Sequence, residues 1–290
     1  MPANNILYKT LVSRDTLEQH LQDPRWVIVD CRFNLSDPEA GEAAYRESHL
    51  PNARYAHLER DLSGSKTATS GRHPLPAPQS LARRLGAWGI DSPKQVVAYD
   101  DAGGAMAARL WWLLRWLGHT AVAVLDGGIH RWREEGRPLT AEIPGIARAE
   151  FSMRIDHNAW VDSDFIARNL AKQQGVVLDA RAAERFAGQV EPIDPVAGHI
   201  PEALSRPFDR NLDARGEFLP LAMLHDSLRE TLRNTSPARV IHMCGSGVTA
   251  CHNLLAMEIA GLAGSRLYAG SWSEWITDPA RPKACADPDR

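Results

Sequence analysis

The second half of this chain presents the sequence signals of the first half in the same order, and no other feature restricts the accessible folds as strongly. Each half opens on a helix-like segment, residues 13–21 and residues 162–170. Each continues into a β-branched run ending in an acid and an arginine, Val27-Ile-Val-Asp-Cys-Arg32 and Val176-Val-Leu-Asp-Ala-Arg181. A His-aliphatic-Pro-x-Ala element follows, at His49 to Ala53 and His199 to Ala203, then a second apolar run, Gln95 to Tyr99 and Arg239 to Met243. Both of these runs lead into a glycine-rich turn and a helix, and Asp126-Gly-Gly-Ile-His-Arg-Trp132 parallels Ala269-Gly-Ser-Trp-Ser-Glu-Trp275. Matched positions keep an offset between 143 and 150, so the chain reads as two copies of one unit.

Short apolar strands alternating with helical segments bury a parallel sheet under helices. The expectation is an α/β protein of two tandem domains, each a parallel sheet flanked by helices. Periodicity breaks between Arg137 and Ala147, where Pro138, Pro144 and Gly145 intervene, so the predicted domains are 1–144 and 157–290, with motif cores at 22–142 and 171–284. The 290 residues allow each copy its own core. A further Pro/Gly/Ser-rich stretch, residues 62–76, is longer than a plain connector, and long ordered loops tend to carry function.

Composition narrows the chemistry. With 33 Lys+Arg against 36 Asp+Glu and a net charge of -3, the chain has no basic footprint for nucleic acid. The most apolar stretch, around Leu110 to Leu117, is interrupted by arginine and too short to span a bilayer, so no membrane association is expected. Residues 1–19 show no secretory leader, and Cys31, Cys244, Cys251 and Cys285 follow neither a zinc spacing nor a disulfide framework. Free thiols in the cytoplasm are expected. Cys31 reads as structural, and Trp111, Trp112 and Trp116 read as core packing.

The most informative segment is Cys244-Gly-Ser-Gly-Val-Thr249, between a strand ending at Met243 and a helix marked by Leu254, Leu255, Met257 and Ile259. Glycines let successive backbone N–H groups turn inward, and with a helix N-terminus they form an anion cradle. Cys244 stands at its rim, where such a field favours a nucleophilic thiolate; the competing reading is a small buried hydrophobe. Three chemistries fit a loop of this kind. Gly245-Ser-Gly247-Val-Thr-Ala250 formally matches a dinucleotide fingerprint, but residues 265–270 lack the acidic residue that should follow. Cysteine phosphatase loops need an arginine six positions after the cysteine, where Ala250 stands. Sulfur transfer needs only a thiolate that holds a sulfane sulfur among N–H donors.

The two-copy layout, the strand-Asp-x-Arg and Gly198-His-Ile-Pro elements, the six-residue cysteine loop and the Ser271-Trp-Ser-Glu-Trp275 ending resemble tandem-domain rhodanese sulfurtransferases over nearly the whole chain. The resemblance implies two rhodanese-like domains, the first inactive and the second catalytic. Asp100 stands where Cys244 would be in the first copy, and a carboxylate cannot hold a transferable sulfur. The loop itself is similar to that of 3-mercaptopyruvate sulfurtransferases, whereas thiosulfate-specific members typically place two basic residues where Gly245 and Ser246 stand.

The resemblance implies Cys244 as nucleophile, with an Asp61–His73–Ser246 relay moving protons. It implies Arg185 as the carboxylate anchor, with Arg72 a second candidate, and Gly245, Gly247, Val248 and Thr249 lining the donor site. Arg181 is as readily a scaffold residue. Where a second carboxylate-binding arginine is common in mercaptopyruvate enzymes, this chain has Asp194, so thiosulfate stays open as donor. The implied activity moves sulfur from 3-mercaptopyruvate or thiosulfate to cyanide, a small thiol or a thioredoxin-type protein, with no metal or organic cofactor. A rhodanese-like module that only binds a partner protein is the alternative of another class.

Overall fold

A computed structural model describes residues 7–285. Residues 1–6, on which part of the leader expectation rests, and 286–290, which end the second predicted domain, lie outside the described residues. The chain divides into two compact units. One holds the chain up to Leu62 with Pro76–Asp156 and Arg215–Glu217; the other holds Ser63–Leu75, His157–Ala214 and the chain from Phe218 onward.

In the first unit the strands are β1 (Leu11–Val12), β2 (Trp26–Asp30), β3 (Arg54–Tyr55), β4 (Gln95–Tyr99) and β5 (Val122–Leu125), in spatial order β1-β5-β4-β2-β3. All neighbours are parallel. Helices α1 (Arg14–Gln19), α2 (Ala40–Glu47), α3 (Pro78–Ala87), α4 (Ala107–Trp116) and α5 (Gly128–Glu134) connect them. The second unit repeats this with β6 (Trp160–Val161), β7 (Val176–Asp179), β8 (Leu204–Ser205), β9 (Val240–Met243) and β10 (Arg266–Tyr268), ordered β6-β10-β9-β7-β8 and again all parallel. Its helices are α6 (Ser163–Lys172), α7 (Ala183–Ala187), α8 (Leu221–Thr231), α9 (Ala250–Ile259) and α10 (Ser271–Trp275). The α/β architecture implied by the repeat is the observed one, because central strands such as β4 and β9 are buried along their whole length and need helices on both faces.

The repeated signals are structural devices with matched geometry. Arg32 grips Asp30 through Nε and Nη2 and donates to Ser48 O at 2.8 Å; Arg181 grips Asp179 the same way and donates to Gly198 O at 2.7 Å. His49 exchanges both backbone hydrogen bonds with Thr140, and His199 does so with Ala284, each pinning the far end of its own copy. Trp132 Nε1 donates to Pro138 O and Trp275 Nε1 to Pro282 O, both at 2.9 Å, so two fully buried indoles keep their polar atom satisfied. These histidines and arginines therefore hold the scaffold. Trp111, Trp112 and Trp116 lie buried on α4, as core packing requires.

The proline- and glycine-marked segment after α5 continues as extended chain fastened to the first unit. Ala149 N donates to Gly86 O at 2.9 Å and Arg154 N to Leu117 O at 2.8 Å. A Cβ on Gly86 would stand 2.5 Å from Ala149 O, so the missing side chain admits the passing backbone. Among the described residues no helix is long and apolar enough to cross a membrane.

Candidate active site

Cys244 follows β9 directly and is 2% exposed. Its Sγ accepts from Gly247 N at 3.1 Å and Ser246 N at 3.5 Å, so the loop curls its amides onto the sulfur. The amides of Val248 and Thr249 donate to no protein group among the described residues, which leaves further donors on the same wall. Gly247 makes the curl possible: its φ is +75°, and a Cβ there would stand 2.3 Å from Ala269 O. Gly247→Ala is expected to cost about 1–3 kcal/mol in backbone strain alone and to withdraw the nearest donor from Sγ. Thermal melting and donor-dependent turnover should fall together; an unchanged melt would disprove the strain argument.

The loop is braced from the segment that ends the second copy. Ser271 adopts φ +55°, donates from Oγ to Tyr268 O at 2.9 Å and accepts from Cys244 N at 3.1 Å. Trp272 N and Ser273 N donate to Cys244 O and Gly245 O at 3.0 and 2.9 Å. In the sequence residues 271–275 show only as the ending of the repeat. The unusual φ at a serine flanking an aromatic pair becomes legible only in three dimensions.

The second unit's Ser63–Leu75 segment brings two predicted residues to this loop. Gly71 passes so close that a Cβ would stand 2.6 Å from Gly270 O, and Arg72 N donates to Ser273 Oγ at 3.0 Å. His73 Nδ1 and Ser246 Oγ are then hydrogen-bonded at 2.7 Å, both residues buried. Asp61 belongs to the first unit, where its carboxylate accepts from His57 N at 2.9 Å and pairs with Arg84 Nε at 3.0 Å. Of the three residues expected to form a relay, His73 and Ser246 share a hydrogen bond within the second unit.

Two guanidiniums converge on Gly245. A Cβ there would stand 2.7 Å from Arg72 Nη2 and 3.6 Å from Arg185 Nη2, so the glycine leaves the space they occupy. Arg72 pairs with Asp194 through Nη1, and Arg185 Nη2 reaches the other oxygen of Asp194 at 3.1 Å. Glu191 holds Arg185 at Nη2, 2.7 Å, and at Nε, 3.1 Å. Burial pushes the Asp194 carboxyl upward, against the pull of Arg72 and Arg185. Burial also opposes ionisation of Glu191, but hydrogen bonds from Arg185 and from the Asp194 and Ile193 amides outweigh it and hold that carboxyl below its ordinary value. Arg181 points at Asp179 and at Glu191, 3.4 Å away, and lies over the Trp272 ring, consistent with the scaffold reading. The bridging roles of Asp194 and Glu191 have no local pattern in the sequence beyond an acid standing at an expected arginine position.

Other polar groups near the strand ends are silent. Burial pushes His242 down to about 3, so this residue, two before Cys244, supplies no cation at neutral pH. Burial, with Asp30, Asp100 and Asp61 nearby, pushes the Cys31 thiol well up, which supports its structural reading. In the first copy the Asp100 side chain fills the matching cradle. Its carboxylate accepts from Ala102 N and Gly104 N at 2.8 Å, Met106 N at 2.7 Å and Ala107 N at 2.8 Å. Four amides of the first copy's loop thus converge on a carboxylate, where in the second copy the Ser246 and Gly247 amides face sulfur.

A family model described as "Rhodanese-like domain" matches residues 13–135 and 163–278. The chain is 47% identical to a probable 3-mercaptopyruvate sulfurtransferase of Pseudomonas aeruginosa, over 96% of this chain and 98% of that one. It is 39% identical to a putative thiosulfate sulfurtransferase of Mycobacterium tuberculosis, over 88% of this chain and 89% of the other. Among solved structures, the 3-mercaptopyruvate sulfurtransferase from Leishmania major superposes with a TM-score of 0.82 at 29% identity, covering 92% of this chain and 74% of that one.

Proposed function

This chain belongs to the rhodanese family, and from that premise we propose that it is a sulfurtransferase that carries sulfur as a Cys244 persulfide, with 3-mercaptopyruvate as donor. The observation that carries the reading is the sulfur of Cys244 under the amides of Ser246 and Gly247, with a hydrogen-bonded His73–Ser246 pair and two guanidiniums beside it. The thiolate attacks the donor sulfur, the S–S bond forms and the donor C–S bond breaks. The electron pair passes to the methylene carbon as the enolate of pyruvate, and a proton delivered to that carbon completes pyruvate. The His73–Ser246 pair is suited to moving this proton, and the open Val248 and Thr249 amides suit the outer sulfur of the persulfide.

Arg185, with Arg72, is suited to the donor carboxylate, which fixes the reacting sulfur by charge-assisted hydrogen bonds. In the second half-reaction cyanide, a small thiol or a thioredoxin-type thiolate attacks the outer sulfur, and Cys244 leaves as thiolate. Four free cysteines support a reducing compartment, and we assign the protein to the cytoplasm. The thiosulfate reading keeps one supporting observation, the pair of cations at Gly245, which could also face a sulfonate.

Mass spectrometry after exposure to donor should find one added sulfur on Cys244 and none on Cys31; sulfur on another residue would displace Cys244 as the carrier, and no persulfide from either donor while a partner protein co-purifies would favour the binding-module alternative. Arg185→Ala should lower kcat/KM for 3-mercaptopyruvate by about 10- to 100-fold, mostly through KM. An unaltered KM would remove Arg185 from the donor site.

A further inference from the structure

The charges around Gly245 balance: three guanidiniums, Arg72, Arg181 and Arg185, interlock with three carboxylates, Asp179, Glu191 and Asp194. Asp194 alone touches both arginines that face the loop, one with each oxygen. The arginines are not saturated by this. Arg72 Nε is buried without a partner, and neither Arg72 Nη2, beside Gly245, nor Arg185 Nη1 donates to a protein group among the described residues. The clamp therefore offers several N–H groups but little net charge.

We propose that Asp194 is the positioning and specificity-determining residue of the donor site, pairing Arg72 with Arg185 and lowering their charge so that a monocarboxylate donor is preferred over a doubly charged one. This role of Asp194 rests on the sulfur-transfer reading. With Asp194 ionised the cluster carries little net charge and gains little from a second negative charge on the ligand, whereas neutralising Asp194 leaves a net positive charge whose attraction doubles when the ligand charge doubles. Held by Asp194, Arg72 supplies from the Ser63–Leu75 segment the second guanidinium that position 194 itself lacks.

Asp194→Asn keeps the shape and removes the charge. Thiosulfate kcat/KM relative to 3-mercaptopyruvate kcat/KM should rise at least about tenfold, carried by a lower KM for thiosulfate. Asp194→Glu should hold the wild-type ratio within about threefold, because it restores the charge. Asp194→Ser, a second neutral variant, reads the same ratio should the asparagine variant fail to fold. An unchanged ratio, or a parallel loss with both donors, while Cys244 still takes up sulfur, would overturn the proposal and leave Asp194 structural. If wild-type Cys244 takes up sulfur from neither donor, the sulfur-transfer reading itself fails, and mass spectrometry of the wild type separates the two outcomes.

Discussion

Cys244→Ser abolishes sulfur transfer from both 3-mercaptopyruvate and thiosulfate, with thiocyanate formation falling by at least ~1000-fold. The loss follows from the bond that must form. A serine in the same cradle still receives the Ser246 and Gly247 amides, yet its oxygen is a poor nucleophile toward sulfur and holds no transferable sulfane. No second thiol substitutes: Cys31 is buried among carboxylates with its thiol pushed well up, and Cys251 is buried in α9, its Sγ 3.4 Å from Gly247 O. The measurement is cyanide-dependent turnover with each donor, beside a melt showing that the variant folds. Turnover within tenfold of wild type would eliminate the covalent route.

Asp100→Ala is expected to give the largest loss of stability. Four backbone N–H groups converge on this fully buried carboxylate, two on each oxygen, and alanine would leave all four without an acceptor. Each buried donor left unpaired costs about 1–3 kcal/mol, part of which water entering the vacated space would recover. A net loss of about 4 kcal/mol, or a drop in melting temperature on the order of 10 °C, is expected for the first unit. Asp100→Asn retains one oxygen and turns an amide nitrogen toward the other two donors, so it should be destabilised, though less than alanine. A melt within 2–3 °C of wild type for Asp100→Ala, about 1 kcal/mol at this size, would show that those hydrogen bonds contribute little.

Much of the fold was legible because its signals are local. Buried strands are continuous apolar runs, and paired devices such as His49 with Thr140 and His199 with Ala284 recur at matched places. The cysteine loop was legible for the same reason: a strand, two glycines and a helix suffice to aim amides at one atom. Asp61 was inferred from resemblance, and its carboxylate engages Arg84 and the His57 amide within the first unit. Asp194 was read as a missing arginine, whereas it bridges two that are present. Neither arrangement has a short-range pattern, since the partners of an ion pair need no fixed spacing along the chain.

By itself the sequence determined the two-copy parallel α/β plan and singled out the two matched loops, with Asp100 in the first copy and Cys244 in the second, because these signals lie within one strand-loop-helix step. Tertiary structure decided what surrounds Cys244. It gathers the Ser63–Leu75 segment into the second unit, where His73 meets Ser246 across 173 residues and Arg72 meets Asp194 across 122. Contacts at such separations depend on how whole segments pack, and that packing sets the charge facing Gly245.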